Sequence, residues 1–122
     1  MEDFVPYELA VKLKEKGFTC EYPFAMYNKY EQFCPLYSSD KHYFGIDDFD
    51  KHACIAPTIS QALKWLREDK KIYICISYDD VCVYSYDIVG IMDGEFKGVE
   101  YDYETYEQAA IAGIEYVIYN LI

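Results

Sequence analysis

Basic residues are scarce in this chain. Its 122 residues include 11 Lys and Arg against 22 Asp and Glu, a formal net charge of −11. A surface of that sign repels phosphate backbones, so direct nucleic-acid binding is disfavoured. Long apolar runs are missing too, since none approaches the roughly 18 residues of a membrane span. The opening Met1-Glu2-Asp3 is the wrong start for a secretory signal. A cytoplasmic protein with no membrane contact is the expectation. There is no Gly-x-Gly-x-x-Gly, no P-loop, no Gly-x-Ser-x-Gly and no His-Glu-x-x-His, so no catalytic motif directs the reading toward an enzyme. Nor is there a Cys-x-x-Cys. The five cysteines, Cys20, Cys34, Cys54, Cys75 and Cys82, are odd in number and scattered, and are expected to be reduced thiols used as small core hydrophobes.

What the chain does have is 52% apolar and 27% charged residues, the balance of a folded protein rather than a disordered one. The length suits a single domain over residues 1–122, able to bury roughly 65% of the surface its unfolded form exposes. Pro6 suits a first helical turn, Tyr7, Leu9, Ala10 and Leu13 form an apolar stripe and Gly17 suits the stop, which predicts a helix from Val5 to Lys16. Lys12, Lys14 and Lys16 then lie near the negative end of its dipole.

Between Phe18 and Ala56 no clean period emerges. Ala25 to Tyr30, Lys41 to Phe44 and Lys51 to Ile55 are candidate strands. At Thr58-Ile59-Ser60-Gln61 a capping box opens a second helix, with Ile59, Ala62, Leu63 and Leu66 on one side and Lys64, Arg67, Lys70 and Lys71 making the rest basic. Lys71 to Tyr78 alternates as a strand with one isoleucine face. Asp79-Asp80 turns it into a second strand, Val81 to Val89, and Asp93-Gly94 leads to a third, Val99 to Tyr103. Thr105-Tyr106-Glu107-Gln108 is another capping box, opening a helix to Asn120 with Ala110, Ile114, Val117 and Leu121 inward. Gly113 in its interior costs about 1 kcal/mol against alanine, so a close approach of backbone to neighbour is the expected reason for it. The fold class is α+β, with helices near 5–16, 58–69 and 105–120 packed on a mainly antiparallel sheet.

Three stretches carry a resemblance: residues 4–18, the run from Ala56 to Glu68, and Tyr106 to Glu115, together with the hairpin between the last two. They resemble small uncharacterised proteins encoded by phages, prophages and mobile elements of gut anaerobes. The order of helix, hairpin and alanine-rich closing helix is also similar to the phage ABA sandwich domain. The resemblance covers residues 4–18 and 56–122, and implies an α+β fold and a phage-like origin, without bringing any catalytic residue.

The charge is unevenly spread. Residues 1–78 hold twelve acids and ten bases, a net of −2, whereas residues 79–122 hold ten acids and the single base Lys97, a net of −9. Within that part Glu100, Asp102 and Glu104 alternate with Tyr101 and Tyr103, so an extended segment puts three carboxylates on one side and two phenols on the other. These five residues are the candidate protein-binding site, an acidic surface for a basic partner. The simpler alternative is a solubilising face. Fifteen tyrosines exceed what core and sheet packing absorbs. Tyr22, Tyr27, Tyr30, Tyr37 and Tyr43 are candidates for a partner surface or a homodimer contact.

Other constellations are weaker. Cys34, His42, His52 and Cys54 have the donor types of a zinc site but not its tightly paired spacing. Asp47, Asp48 and Asp50 lack the glycine and distal glutamate of a calcium loop. A Cys54 nucleophile would need His42 or His52 as base, which sequence proximity alone does not supply. No metal, cofactor or catalytic residue is expected. The reading is a non-enzymatic accessory protein of phage or mobile-element type that acts by binding a host or phage protein. Alternatives are an anti-defence protein that mimics nucleic acid to inhibit a host factor, and a small ligand-binding or enzymatic domain.

Overall fold

Pro6 and Gly17 bracket the first helix, as their backbone preferences require. The computed structural model describes residues 3–19, 23–28, 30–35, 54–78, 83–90 and 96–122, with backbone alone over 96–102. Helix α1 spans Tyr7–Glu15, with Pro6 as its extended N-cap and no side-chain cap hydrogen bond. At the other end Gly17 takes φ +96°, a left-handed conformation natural to glycine. The Gly17 N–H donates to the Lys14 carbonyl at 3.0 Å and the Phe18 N–H to the Leu13 carbonyl at 2.9 Å. This pair of bonds is a Schellman stop, and its usual hydrophobic accompaniment is supplied by Leu13 and Phe18, both buried.

The chain gathers into two compact units, Met1–Thr58 and Ile59–Ile122. Where the sequence suggests one sheet, two three-stranded antiparallel sheets form, in an α+β fold.

In the first unit, strands β1 (Ala25–Tyr27), β2 (Phe33–Pro35) and β3 (Cys54–Ile55) are ordered β2-β1-β3, and α1 packs on β3. The sequence extends β1 to Tyr30, but Asn28 ends it. The Asn28 side-chain oxygen accepts from the backbone N–H groups of Tyr30, at 2.8 Å, and Gln32, at 3.1 Å, which turns the chain into β2. Pro35 is compatible with β2 because that strand lies at the sheet edge, where a missing N–H breaks no ladder. Phe4 forms an isolated antiparallel bridge with Thr58, and the Val5 N–H donates to the Pro57 carbonyl at 2.9 Å. Tyr27, one of the tyrosines expected at a partner surface, is instead 8% exposed, and its hydroxyl donates to the Val5 carbonyl at 2.6 Å. Its ring meets those of Tyr7 and Phe33 edge-on, at centroid distances of 5.4 and 5.9 Å. Tyr30, by contrast, is 69% exposed. Tyr22, Tyr37 and Tyr43 lie outside the described residues, as do the candidate strand 41–44 and the first part of the one at 51–55.

The second unit begins with helix α2 (Ile59–Asp69), directly after Thr58. It buries Ile59, Ala62, Trp65 and Leu66 and leaves Lys64 and Arg67 exposed, the two-sided pattern its sequence predicts. Lys70 lies 5.3 Å from the centroid of the Trp65 ring, a cation–π contact. Lys71 adopts φ 59° and so reverses the chain into the sheet rather than starting the strand. Strands β4 (Ile72–Tyr78), β5 (Tyr84–Gly90) and β6 (Phe96–Tyr103) then run in the order β4-β5-β6. Ile74, Tyr86 and Ile88 are buried, and helix α3 (Tyr106–Asn120) lies across all three strands. The turns at 79–80 and 93–94 lie outside the described residues.

Helix α3 is started by Thr105, whose hydroxyl oxygen accepts from the Gln108 N–H at 3.1 Å. The returning half of the capping box is displaced by one residue: the Gln108 side-chain oxygen accepts from the N–H of Glu104, at 3.0 Å, rather than from that of Thr105. Thr105→Ala removes the acceptor and is expected to lower stability by about 1 kcal/mol, as read from the shift of the urea midpoint. Ala109, Ala110, Gly113, Ile114, Val117 and Ile118 form the buried face, with Leu121 acting as the C-cap. A Cβ on Gly113 would stand 2.9 Å from Ile74 Cγ2 and 3.3 Å from the Tyr86 ring, so the close approach expected at this glycine is realised.

Candidate functional site

The acidic segment lies on the last strand and the loop into α3. Glu100, Tyr101 and Asp102 belong to β6, where the described structure is backbone, so their placement follows from register. Tyr86 pairs with Glu100 and Tyr84 with Tyr103. Two steps along β5 therefore span three along β6, which is a β-bulge. The one-to-one pairing of β6 with β5 is therefore interrupted between Glu100 and Tyr103. Tyr103 is half-buried, with its ring 6.0 Å from that of Tyr86. Glu104 is exposed, and its backbone is tied to the first turn of α3 through Gln108.

Tyr103 leads into a feature that the sequence does not announce. Beside the C-terminal half of α3 is a shallow, open cleft of about 430 Å³, lined by the aromatic residues Tyr86, Tyr103, Tyr116 and Tyr119 and by Ala112. Glu115 and Asn120 supply its polar groups. Tyr86 is 3% exposed while Tyr119 is 57% exposed, so the aromatic lining runs from the core to the surface. The Tyr86 and Tyr116 ring centroids are 6.5 Å apart. On α3, residues 112, 115, 116 and 119 have the spacing i, i+3, i+4, i+7, a second stripe beside the buried one. That spacing is the sequence signal for the cleft, although it becomes a cleft only because β5 and β6 supply the facing tyrosines.

The remaining candidates divide between the described residues and those outside them. Cys34 and Cys75 are half-buried, Cys54 is buried, and all three are free thiols. Burial pushes the Cys54 thiol above its ordinary pKa, and Lys14 only partly offsets this. Cys54 is thus a protonated, weakly nucleophilic thiol at neutral pH. It lines a groove of about 220 Å³ with Ala10, Phe18, Met26, Ile55 and Lys14, which is mostly apolar and brings no base to the sulfur among the described residues. His42, His52 and the aspartates at 47, 48 and 50 lie outside the described residues, as do Cys20 and Cys82. Among the described residues no group of three His, Cys, Asp or Glu side chains is arranged to hold a metal ion, and no helix is long and apolar enough to cross a membrane.

No family model, no curated protein and no solved structure matches the chain.

Proposed function

We propose that this chain is a small acidic accessory protein of phage or mobile-element type, working without catalysis by binding a basic host or phage protein through its last third. The observation that carries this reading is the joining of charge and aromatic area in one part of the chain. Residues 79–122 have ten acids and one base, and within them the acidic segment at 100–104 includes Tyr103, which lines the cleft beside α3. Carboxylates draw a cation in from solution, and tyrosines offer rigid contact area that loses little rotamer entropy on binding. The same charge supports a second reading, an anti-defence protein whose acids imitate a phosphate backbone and block a nucleic-acid-handling factor. In that case double-stranded DNA would displace the chain from its partner. The cleft itself is what supports the alternative of a small-ligand site.

The test begins with a pull-down from host lysate and identification of captured proteins by mass spectrometry. Association is then followed with the purified partner. Reversing Glu100, Asp102 and Glu104 to lysine is expected to slow association about tenfold or more at low salt, and raising the ionic strength should slow the native chain in the same direction. A partner whose association rate is indifferent both to salt and to the triple reversal would show that the acids are solvated surface, and the reading would be withdrawn.

A further inference from the structure

We infer that the cleft beside α3 is a receptor for the guanidinium group of an arginine side chain on the partner protein. This rests on the protein-binding reading above and gives that reading a recognition chemistry. Four tyrosines line the cleft, and the face of a phenol ring is the negative side of its quadrupole, attractive to a cation within about 6 Å of the centroid. Tyr86 and Tyr103 are 6.0 Å apart and inclined by 35°, Tyr86 and Tyr116 are 6.5 Å apart and inclined by 49°. The rings are inclined to one another rather than stacked, Tyr86 forms the buried floor, and Tyr119, 57% exposed, is the ring most open to an incoming cation. Glu115, exposed on the same helix stripe, adds a carboxylate at the cleft.

The charge of this part of the sequence agrees in sign, since residues 79–122 contain ten acids and only one base. Three features favour arginine over lysine. A guanidinium is planar and stacks on aromatic rings, it is more weakly hydrated than an ammonium and so gives up its water more readily, and it can engage a carboxylate with two parallel N–H groups. Asn120 is committed on one side, because its side-chain NH₂ donates to the Tyr116 carbonyl at 3.1 Å. That bond holds the end of the helix beside the cleft.

The experiment needs no partner. The folded chain is titrated with three blocked tripeptides, glycine-arginine-glycine, glycine-lysine-glycine and glycine-citrulline-glycine, and backbone amide shifts are followed by NMR. The arginine peptide is expected to give saturable shifts confined to residues 112–120 and the facing strands at 86 and 103, with a dissociation constant of order 1–10 mM. The lysine peptide should bind more weakly, and citrulline, which keeps the shape and loses the charge, should give no saturable shift. Tyr119→Ala and Glu115→Gln should each weaken the arginine peptide by about threefold to fivefold, with the dispersion of the remaining amides showing that both variants are folded. Equal response to citrulline, or shifts spread evenly over the acidic surface including 104 and 107, would overturn the assignment, as would no saturable shift at all. The two readings fail separately. Loss of the arginine response removes the cleft as receptor and leaves the acidic segment to be judged by partner association, whereas an arginine response with a partner indifferent to salt and to the triple reversal withdraws the acidic-surface reading and leaves the cleft as a guanidinium receptor.

Discussion

Replacing Gly113 by valine is expected to lower folding stability by about 3 kcal/mol. The glycine is the point where α3 comes nearest to its sheet: an added Cβ already meets Ile74 Cγ2 at 2.9 Å and the Tyr86 ring at 3.3 Å. Neither neighbour yields easily. The isoleucine methyl is attached at the branch point of a β-branched side chain, whose χ1 is stiff. The Tyr86 ring is nearly fully buried, with the rings of Tyr103 and Tyr116 beside it. Valine would add two further methyl groups to that contact, so the helix must lift away and leave the surrounding side chains underpacked. Gly113→Ala is milder, because alanine regains about 1 kcal/mol of helix propensity against the same clash. Urea unfolding of the three proteins should therefore rank them native, alanine, valine. A valine variant within about 0.5 kcal/mol of the native chain would mean that α3 does not approach the sheet at this distance.

The second large effect belongs to the first unit. Leu13→Ala should cost about 3 kcal/mol, within the range for truncating a fully buried leucine. Leu13 has no exposed surface, and its carbonyl accepts from both Lys16 and Phe18 at the helix stop. The backbone bonds survive the change, but the side chain that accompanies the stop does not. The midpoint in urea should fall with little change in slope, as expected when stability drops without a change in the surface exposed on unfolding. A midpoint unchanged by the substitution would place Leu13 outside any tightly packed core.

How much of the fold is legible in the amino-acid order depends on whether the deciding interaction is local. The three helices are readable because their signals lie within a few residues of each end: Gly17 at a left-handed stop, Thr58 just before Ile59, Thr105 accepting from Gln108. The alternation of Ile72, Ile74 and Ile76 with Tyr73, Cys75 and Ser77 marks β4, and Gly113 announces a close contact without naming its partners. The short first sheet is poorly legible. Strand β2 has three residues, one of them Pro35, and exists through pairing with β1 across a turn that Asn28 builds. Tyr27 reads as surface because nothing local says that its hydroxyl will find the Val5 carbonyl 22 residues away. For the candidate site, charge is visible and shape is not. The acids at 100, 102 and 104 can be counted, but the extra residue in β6 is a property of its pairing with β5. The cleft needs tyrosines from two strands and a helix at once.

Strand β6 has a further consequence, for self-association. In the order β4-β5-β6 it is the terminal strand of its sheet, bonded to β5 alone among the described strands. A strand bonded on one side only is a template on which another chain's strand can add, the first step toward aggregation or fibres. Two traits of β6 work against that. The bulge opposite Tyr84 to Tyr86 interrupts the regular ladder a newcomer would need, and the strand's own sequence carries the acids Glu100 and Asp102, so that two copies of it bear like charge. The acids proposed to attract a basic partner thus also oppose edge-to-edge joining of copies, and replacing them by neutral residues is expected to raise the tendency of the chain to polymerise.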